Sequence, residues 1–196
     1  MSKTIDAGVV LTRRNFLNTA GIAVLSAGAV SMLAGCDAIP AAHAKTGAQD
    51  VAILNVALGL EHEGIAAYQL GAESGLLQKP VLDVAVLFQS QHKQHRDVLI
   101  ATIEKLGGRP VAAKPLAEYA NALNAGALKN QTDVLVLAAR LELGATSAYL
   151  GVIPSFKDGA LARVSGRLAA DEAMHWTVLN NALGRQLPQA ALTFGA

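Results

Sequence analysis

Apolar residues recur at steps of three, four and seven along most of the chain after residue 46, a spacing that predicts amphipathic helices. Four long runs of this kind follow one another, at about 48–76, 80–106, 132–153 and 159–183. Their ends carry the residues expected there: Pro80 opens the second run, Gly107 and Gly108 follow it, and Gly184 follows the fourth. The chain is therefore predicted to be all-α.

The connections between these runs are short, long and short. Residues 108–130 form the long one, which contains Pro110, Pro115 and a short helical pattern at 116–123. A long connection between two short ones fits an antiparallel four-helix bundle, made of two hairpins joined by one crossover between helices 2 and 3. We expect the bundle to span 46–185, with 186–196 as a C-terminal tail.

Polar residues interrupt the apolar stripe of the fourth helix at a Glu-x-x-His pair. Glu172 and His175 lie three residues apart, so both side chains point from one helix face, the face that carries Leu168 and Leu179. A carboxylate and an imidazole directed at a core need a mutual hydrogen bond, a pocket of water or a metal ion that binds both. A single pair of this kind does not choose among these alternatives.

The other three helices carry similar residues on their stripes. Glu61 is centred on the first, His92 and His95 lie on the second, and Glu142 lies on the third. His62 and Glu63 are rotated away from the first stripe by about 100° and 200°, so we expect them on the flank or the surface.

The two halves of the bundle repeat this pattern. A shift of 81 residues places Glu61 on Glu142 and Tyr68 on Tyr149, and a shift of 80 places His95 on His175. His92 then corresponds to Glu172. Each hairpin is thus predicted to supply one glutamate from its first helix and a pair of ligand-type residues from its second.

The chain here resembles the ferritin-like superfamily, and specifically exported bacterial ferritin-like proteins related to plant desiccation-associated proteins. The resemblance covers about 46–185 and rests on these four segments: Leu60-Glu61 with Tyr68, Gln91-His92-Lys93-Gln94-His95, Leu141-Glu142 with Tyr149, and Glu172-Ala173-Met174-His175. It implies a metal site in the bundle core, since di-iron relatives take one Glu and one Glu-x-x-His from each hairpin. The second hairpin fits fully, whereas His92 stands where the family has a glutamate.

The predicted ligand set is therefore three carboxylates and three imidazoles: Glu61, His92, His95, Glu142, Glu172 and His175. Six groups suffice for one or two transition-metal ions, with Glu142 or Glu172 as the bridging carboxylate. Iron is the expected metal, with manganese or zinc as alternatives, and the additional imidazole favours Zn, Cu or Fe over Mn or Mg. The six groups could equally form a metal-free polar network.

Aromatic and sulfur-containing residues near the stripes have two interpretations each. Tyr68 and Tyr149, seven residues beyond their glutamates, are either large core residues or donors and radical sinks beside the site. Trp176 points off the stripe and is expected to pack or to form an interface. Met174 lies on neither central face and gives no support for a haem ligand.

Residues 1–44 are predicted to be an export signal and a short linker. Thr12-Arg13-Arg14-Asn15-Phe16-Leu17 precedes an uncharged apolar run, which ends in Leu33-Ala34-Gly35-Cys36. The first segment resembles a twin-arginine signal and the last a lipobox, so we expect a periplasmic lipoprotein attached to the membrane through Cys36. Cleavage after Ala44 and an uncleaved membrane anchor are the alternatives.

The charge and the cysteine content limit which partners and which cross-links the chain can have. The formal net charge is +1, and removal of the first 35 residues brings it to −1, so nothing indicates a nucleic-acid partner. Cys36 is the only cysteine, so its lipidation excludes an internal disulfide. The expected partners are metal ions and the membrane, with a homodimer also possible.

Three classes of function remain open on the sequence alone. The first is a di-metal oxidoreductase, such as a ferroxidase or a peroxide scavenger. The second is a non-catalytic metal-binding protein of the envelope, and the third is a metal-free helical bundle that acts in stress protection or interaction. Catalysis is not decided by these residues.

Overall fold

The computed structural model describes residues 42–195, and side-chain surroundings from residue 47 onward. The twin-arginine segment, the lipobox and Cys36 lie outside the described residues. Four long helices form the fold, and a short one lies in the crossover: α1 Ala42–Glu73, α2 Lys79–Lys105, α3 Leu116–Ala122, α4 Gln131–Val152 and α5 Gly159–Ala182. The described part of the chain contains no strand, as the periodicity predicts.

The helix ends follow the chemistry of the sequence. Gly107 and Gly184 adopt positive φ angles of 76° and 67° just after α2 and α5, where a residue with a Cβ would be strained. Asn130 and Asp158 begin α4 and α5 by accepting hydrogen bonds from the backbone N–H groups of Asp133 and Ala160, at 3.0 and 2.7 Å. These caps fix the point at which each helix of the second hairpin begins.

The helices pair as two hairpins. The most extensive contacts join α1 to α2 and α4 to α5, while α1 also packs on α4. The predicted bundle with one long crossover is confirmed. Two apolar clusters fill it: cluster A contains Leu54, Leu58, Leu99, Ile103, Tyr149, Leu161 and Leu168, and cluster B contains Tyr68, Ala85, Phe88, Leu135, Ala139 and Leu179.

The crossover is attached to α1. Asn55 donates from Nδ2 to the carbonyl of Arg109 at 3.0 Å and accepts from the N–H of Val111 at 2.7 Å. His62 donates to the carbonyl of Val111 at 3.1 Å and is only 8% exposed. His62 therefore lies on the flank of the stripe but not at the surface, because the crossover covers that face of α1.

Two further features complete the fold. Trp176 packs edge-on against Phe194, with ring centroids 5.1 Å apart, so the C-terminal tail folds back onto α5. The stretch Gln131–Ser155 is long and apolar enough to cross a membrane by length and composition, with a mean hydropathy of 1.3. In this structure the same stretch contains α4, which carries Glu142 and pairs with α5.

Candidate metal centre

The six ligand-type residues meet in the interior of the bundle. Glu172 and His175 have no exposed surface, and Glu61, Glu142, His92 and His95 are buried as well. Each of the four long helices contributes to the group, which we call the Glu–His cluster: Glu61, His92, His95, Glu142, Glu172 and His175. The structure thus brings together all the residues that the apolar stripes single out.

One half of the Glu–His cluster surrounds the carboxylate of Glu61. His92 Nδ1 lies 2.9 Å and His95 Nδ1 3.7 Å from Glu61 Oε2. His95 Nδ1 also lies 3.1 Å from Glu172 Oε1. Glu61, His92, His95 and Glu172 each offer one ligand atom, and these four atoms lie within 4.8 Å of one another.

The other half surrounds Glu142. His92 Nε2 lies 3.2 Å from Glu142 Oε1, and His175 Nδ1 lies 3.1 Å from Glu172 Oε2 and 3.5 Å from Glu142 Oε2. His92, Glu142, Glu172 and His175 again offer four atoms within 4.8 Å. Together the two halves have the donor chemistry of two adjoining metal positions.

Two residues belong to both halves. Glu172 directs Oε1 to the first half and Oε2 to the second, which is the arrangement of a bridging carboxylate. His92 directs one ring nitrogen to each half, but a neutral imidazole has only one lone pair available as a ligand. The two halves are therefore chemically unequal, since His92 can serve only one of them at a time.

Two further side chains orient the outer histidines. Asp171 Oδ2 lies 3.2 Å from His95 Nε2, and Gln91 Oε1 accepts from His175 Nε2 at 2.7 Å. Each bond leaves Nδ1 of the same ring directed into the Glu–His cluster, as expected of partners that fix a ligand's tautomer. The sequence reasoning assigned no role to either residue. The signal was present, because the shift of 80 that relates His95 to His175 also relates Gln91 to Asp171.

Each of the two tyrosines bonds to a glutamate of the opposite hairpin. The Tyr68 hydroxyl donates to Glu142 Oε1, and the Tyr149 hydroxyl donates to Glu61 Oε1. Both side chains are buried, so each is a core residue whose hydroxyl reaches a partner and also a hydrogen-bond donor to a ligand-type carboxylate. Burial and the neighbouring carboxylate raise the pKa of both tyrosines well above 10, which keeps the hydroxyls protonated.

The carboxylates of the Glu–His cluster differ in acidity. Burial opposes ionisation of Glu61, but hydrogen bonds from His92 and His95 outweigh it and lower its pKa to about 2. The nearby His175 and His92 imidazoles likewise outweigh burial and lower the pKa of Glu142. Glu172 is the exception, because burial raises its pKa despite the hydrogen bonds from His175 and His95.

The imidazoles are basic for the converse reason. Burial alone would lower the pKa of His95, but its hydrogen bonds to Glu172 and Glu61 raise it to about 10. Hydrogen bonds to the glutamates overcome burial in the same way and raise the pKa values of His92 and His175. Without metal, the cluster is thus a set of imidazolium and carboxylate groups that neutralise one another.

The donor set fits a transition metal. Carboxylate oxygens and imidazole nitrogens are the ligands that iron, zinc and manganese take in proteins. Glu142 Oε2 is buried without a hydrogen-bond partner, and it faces His175 Nδ1. A buried carboxylate oxygen without a partner is costly, and a metal ion between these two atoms would provide one.

The fold and this centre define a class: antiparallel four-helix bundles with a carboxylate and imidazole cluster in the core. The chain belongs to the ferritin-like domain family, whose family model matches residues 49–185. Among solved structures, the chain is similar to a conserved hypothetical protein, rv2844, from Mycobacterium tuberculosis, with a TM-score of 0.60 and 23% identity over 75% of this chain and 99% of that one. That likeness shows the fold alone. No curated protein matches the chain.

Proposed function

We propose that the protein binds one or two transition-metal ions, iron first, through the Glu–His cluster, and uses them in redox chemistry with oxygen or peroxide. The observation that carries this proposal is the pair of overlapping four-ligand groups, which share Glu172 at the centre of the bundle. Within the cluster, Glu142 Oε2 is buried without a hydrogen bond, which is costly. A bound metal ion would give this oxygen a partner.

The chain's own residues support such a role. A bound transition metal would supply one-electron redox chemistry toward oxygen or peroxide. Tyr68 and Tyr149 would hold the carboxylates of Glu142 and Glu61 through their hydroxyls, while Asp171 and Gln91 hold the outer imidazoles. All six side chains are buried, and the low dielectric of the interior strengthens the electrostatic interactions within the cluster.

Iron is proposed first because di-iron relatives of this fold take carboxylates and imidazoles from the same four helices. The Glu–His cluster has one fewer anion than a centre with four carboxylates, so the charge of two divalent ions is less fully neutralised. The third imidazole, in place of a fourth carboxylate, makes zinc the next candidate, with manganese after it.

We also propose that the protein acts outside the cytoplasm, attached to the membrane through a lipid on Cys36. Arg13-Arg14, the apolar run and Leu33-Ala34-Gly35-Cys36 support this proposal. Mass spectrometry of the mature N-terminus tests it: an acylated Cys36 is expected, and an unmodified chain that begins at Lys45 would contradict lipid attachment but not export.

A second candidate is a metal-free bundle that serves as a stress-protection or interaction module. The hydrogen bonds within the Glu–His cluster favour it, because His92 joins Glu61 to Glu142, and Glu172 joins His95 to His175. A network of this kind can exist without a metal if every donor and acceptor in it has a hydrogen-bond partner. Glu142 Oε2 is the atom that such a network leaves without a partner.

Thermal unfolding with and without metal separates the two candidates. We expect the protein to melt at a higher temperature with Fe(II), Mn(II) or Zn(II) than after chelation, because an ion that binds only the folded state stabilises it by mass action. Glu142→Ala or His175→Ala should abolish this gain. Glu63→Ala is the control, since Glu63 lies on α1 but outside the Glu–His cluster, and it should keep the gain.

Turnover then tests the redox part of the proposal. The iron-loaded protein should consume hydrogen peroxide or oxidise ferrous ion, and Glu142→Ala should not. A protein that binds iron stoichiometrically without either turnover would contradict the redox role and leave metal binding. Identical melting with metal and with chelator would contradict the metal site itself.

A further inference from the structure

A long apolar cavity leads to the Glu–His cluster from one end of the bundle. Its volume is 270 Å³. Along α1 its wall runs from Glu61 to Gly71, about 15 Å by helical rise. Leu77 and Val81 line its outer end, and Leu123 of the crossover covers it.

Four of the polar side chains in the cavity wall belong to the Glu–His cluster, Tyr68 bonds to it, and the half-buried Glu63 lies outside it. The polar side chains of the wall are Glu61, Glu63, Tyr68, His92, Glu142 and Glu172, and the rest are aliphatic or glycine. No Lys or Arg is among the described residues that line it. The only imidazole among the described lining residues, His92, is already paired with Glu61 and Glu142, so an anionic ligand would find no free positive charge in the wall. A strongly polar ligand would lose its hydration along the aliphatic part.

The cavity is a feature of one half of the repeat. The shifts of 81 and 80 relate Gly71 to Val152 and Val81 to Leu161, so two residues on the cavity wall are smaller than their counterparts. Around Tyr149 in the other half, Leu58, Ile103 and Leu161 pack as part of cluster A. Both halves supply ligand-type residues, but this cavity lies beside Tyr68 and not beside Tyr149.

We propose that this cavity binds an uncharged, mainly aliphatic molecule and places one end of it beside Tyr68 and Glu142. This inference rests on the proposed function, because it names the class of substrate that such a metal centre would receive. The volume exceeds the ~150 Å³ of an apolar cavity that binds benzene and lies just below the ~300 Å³ at which ligand pockets begin. The narrow, elongated shape fits a single alkyl chain.

Calorimetric titration of the full chain, stripped of metal by chelation, tests the cavity independently of the metal. The probes are 1-octanol, which is uncharged, and octanoate, which has the same chain length with a carboxylate. We expect 1-octanol to bind with a negative heat-capacity change, as burial of apolar surface requires, and octanoate to bind at least tenfold more weakly. Failure of 1-octanol to bind, or equal binding of octanoate, would overturn the proposal.

Two variants locate the binding. Ala138→Phe places a ring in the cavity and should weaken 1-octanol binding at least tenfold, whereas Ala101→Phe, at an exposed position on α2, should leave it unchanged. Should Ala138→Phe fail to fold by circular dichroism, Val81→Phe fills the same cavity from α2. Equal affinity in the wild type and a folded cavity variant would contradict the site.

Titration of the same metal-stripped protein with Fe(II) or Zn(II), after removal of the chelator, separates this proposal from the proposed function. A protein that binds 1-octanol but no metal keeps the cavity and loses the redox role. A protein that binds metal but not 1-octanol keeps the metal site and loses the proposed ligand of the cavity.

Discussion

Gly64 allows the His92 ring to lie directly against α1. A Cβ at this position would lie 3.3 Å from both Cε1 and Nδ1 of that ring, closer than ordinary van der Waals contact. His92 joins the two halves of the Glu–His cluster, so its position affects both. Glycine weakens a helix interior, and its presence here is explained by the need for close approach.

Substitution of Gly64 tests this explanation, with Gly59 on the same helix as the matched control. Gly59→Ala meets nothing within 4 Å and should stabilise the protein by about 0.5–1 kcal/mol, because alanine favours a helix interior. Gly64→Ala should lose that gain, because His92 must move by a few tenths of an ångström, and it should also weaken metal binding. Denaturant unfolding and metal titration measure the two effects. Equal stabilisation by both substitutions, with unchanged metal affinity, would contradict the role of Gly64.

The histidines of the Glu–His cluster make the stability of the metal-free protein dependent on pH. His95 has a raised pKa, so its contribution is complete below its unfolded value of 6.5 and is lost as the pH rises to about 10. Glu61 has a lowered pKa, so its contribution is complete above 4.5 and is lost as the pH falls toward about 2. With chelator present, the melting temperature should therefore be highest between pH 4.5 and 6.5 and should fall from there to pH 10.

Bound metal should offset the fall in melting temperature at alkaline pH, because ions compete with protons for the imidazole nitrogens. The gain in melting temperature on adding Zn(II) should increase from pH 6 to pH 8. A metal-free profile that is flat from pH 6.5 to 10 would show that the histidines are not held by the carboxylates as described.

The sequence predicted the role of a single residue only where the helical period shows whether its side chain faces the core. The stripes single out Glu61, His92, His95, Glu142, Glu172 and His175, because a period of 3.6 residues tells which side chains face the core. The same period does not show that His62 is buried, since its burial comes from the crossover, a segment distant in sequence. Gly64 gave no signal, because a glycine inside a helical pattern does not show what lies against it.

At the scale of helices, each hairpin supports the ligand-type residues of the other. Gln91 on α2 holds His175 on α5, and Asp171 on α5 holds His95 on α2. The tyrosines repeat this exchange between α1 and α4. Neither hairpin can therefore position its own part of the Glu–His cluster without the other.

Substitution of Gln91, in the first hairpin, should therefore disturb His175 in the second. Gln91→Leu removes the acceptor of the His175 Nε2–H and should weaken metal affinity by about 10- to 100-fold, the usual effect of removing such a partner. Gln94→Leu is the matched control, because Gln94 is exposed on the same helix and bonds to the carbonyl of Ser90. Competition with a chromophoric chelator measures both affinities, and equal values would contradict the exchange between hairpins.

The helices themselves were well predicted, and their cross-hairpin bonds were not. Pro80, Gly107 and Gly184 locate helix ends by local chemistry, so the predicted 80–106 lies close to the observed Lys79–Lys105. A bond such as that between Tyr149 and Glu61 joins residues far apart in sequence, and the pattern of one helix does not contain it. The internal repeat was the available signal, since it relates every such bond to its counterpart.

At the scale of the whole molecule, the two hairpins repeat one pattern and differ from each other at two places. The repeated hairpins supply equivalent ligand-type residues, but His92 replaces a carboxylate in one of them, and the apolar cavity lies beside one tyrosine only. The sequence predicted the first asymmetry by residue type. It did not predict the cavity, because empty space depends on how side chains from all the helices and the crossover pack together.

The metal content of the protein tests the central claim most directly. Elemental analysis of protein purified from its own cells without a histidine tag should find between one and two transition-metal ions per chain, with iron the most abundant. The Glu142→Ala variant, prepared in parallel, should contain much less. A wild-type protein that holds no transition metal near stoichiometric amounts at neutral pH would contradict the account and favour a metal-free helical module.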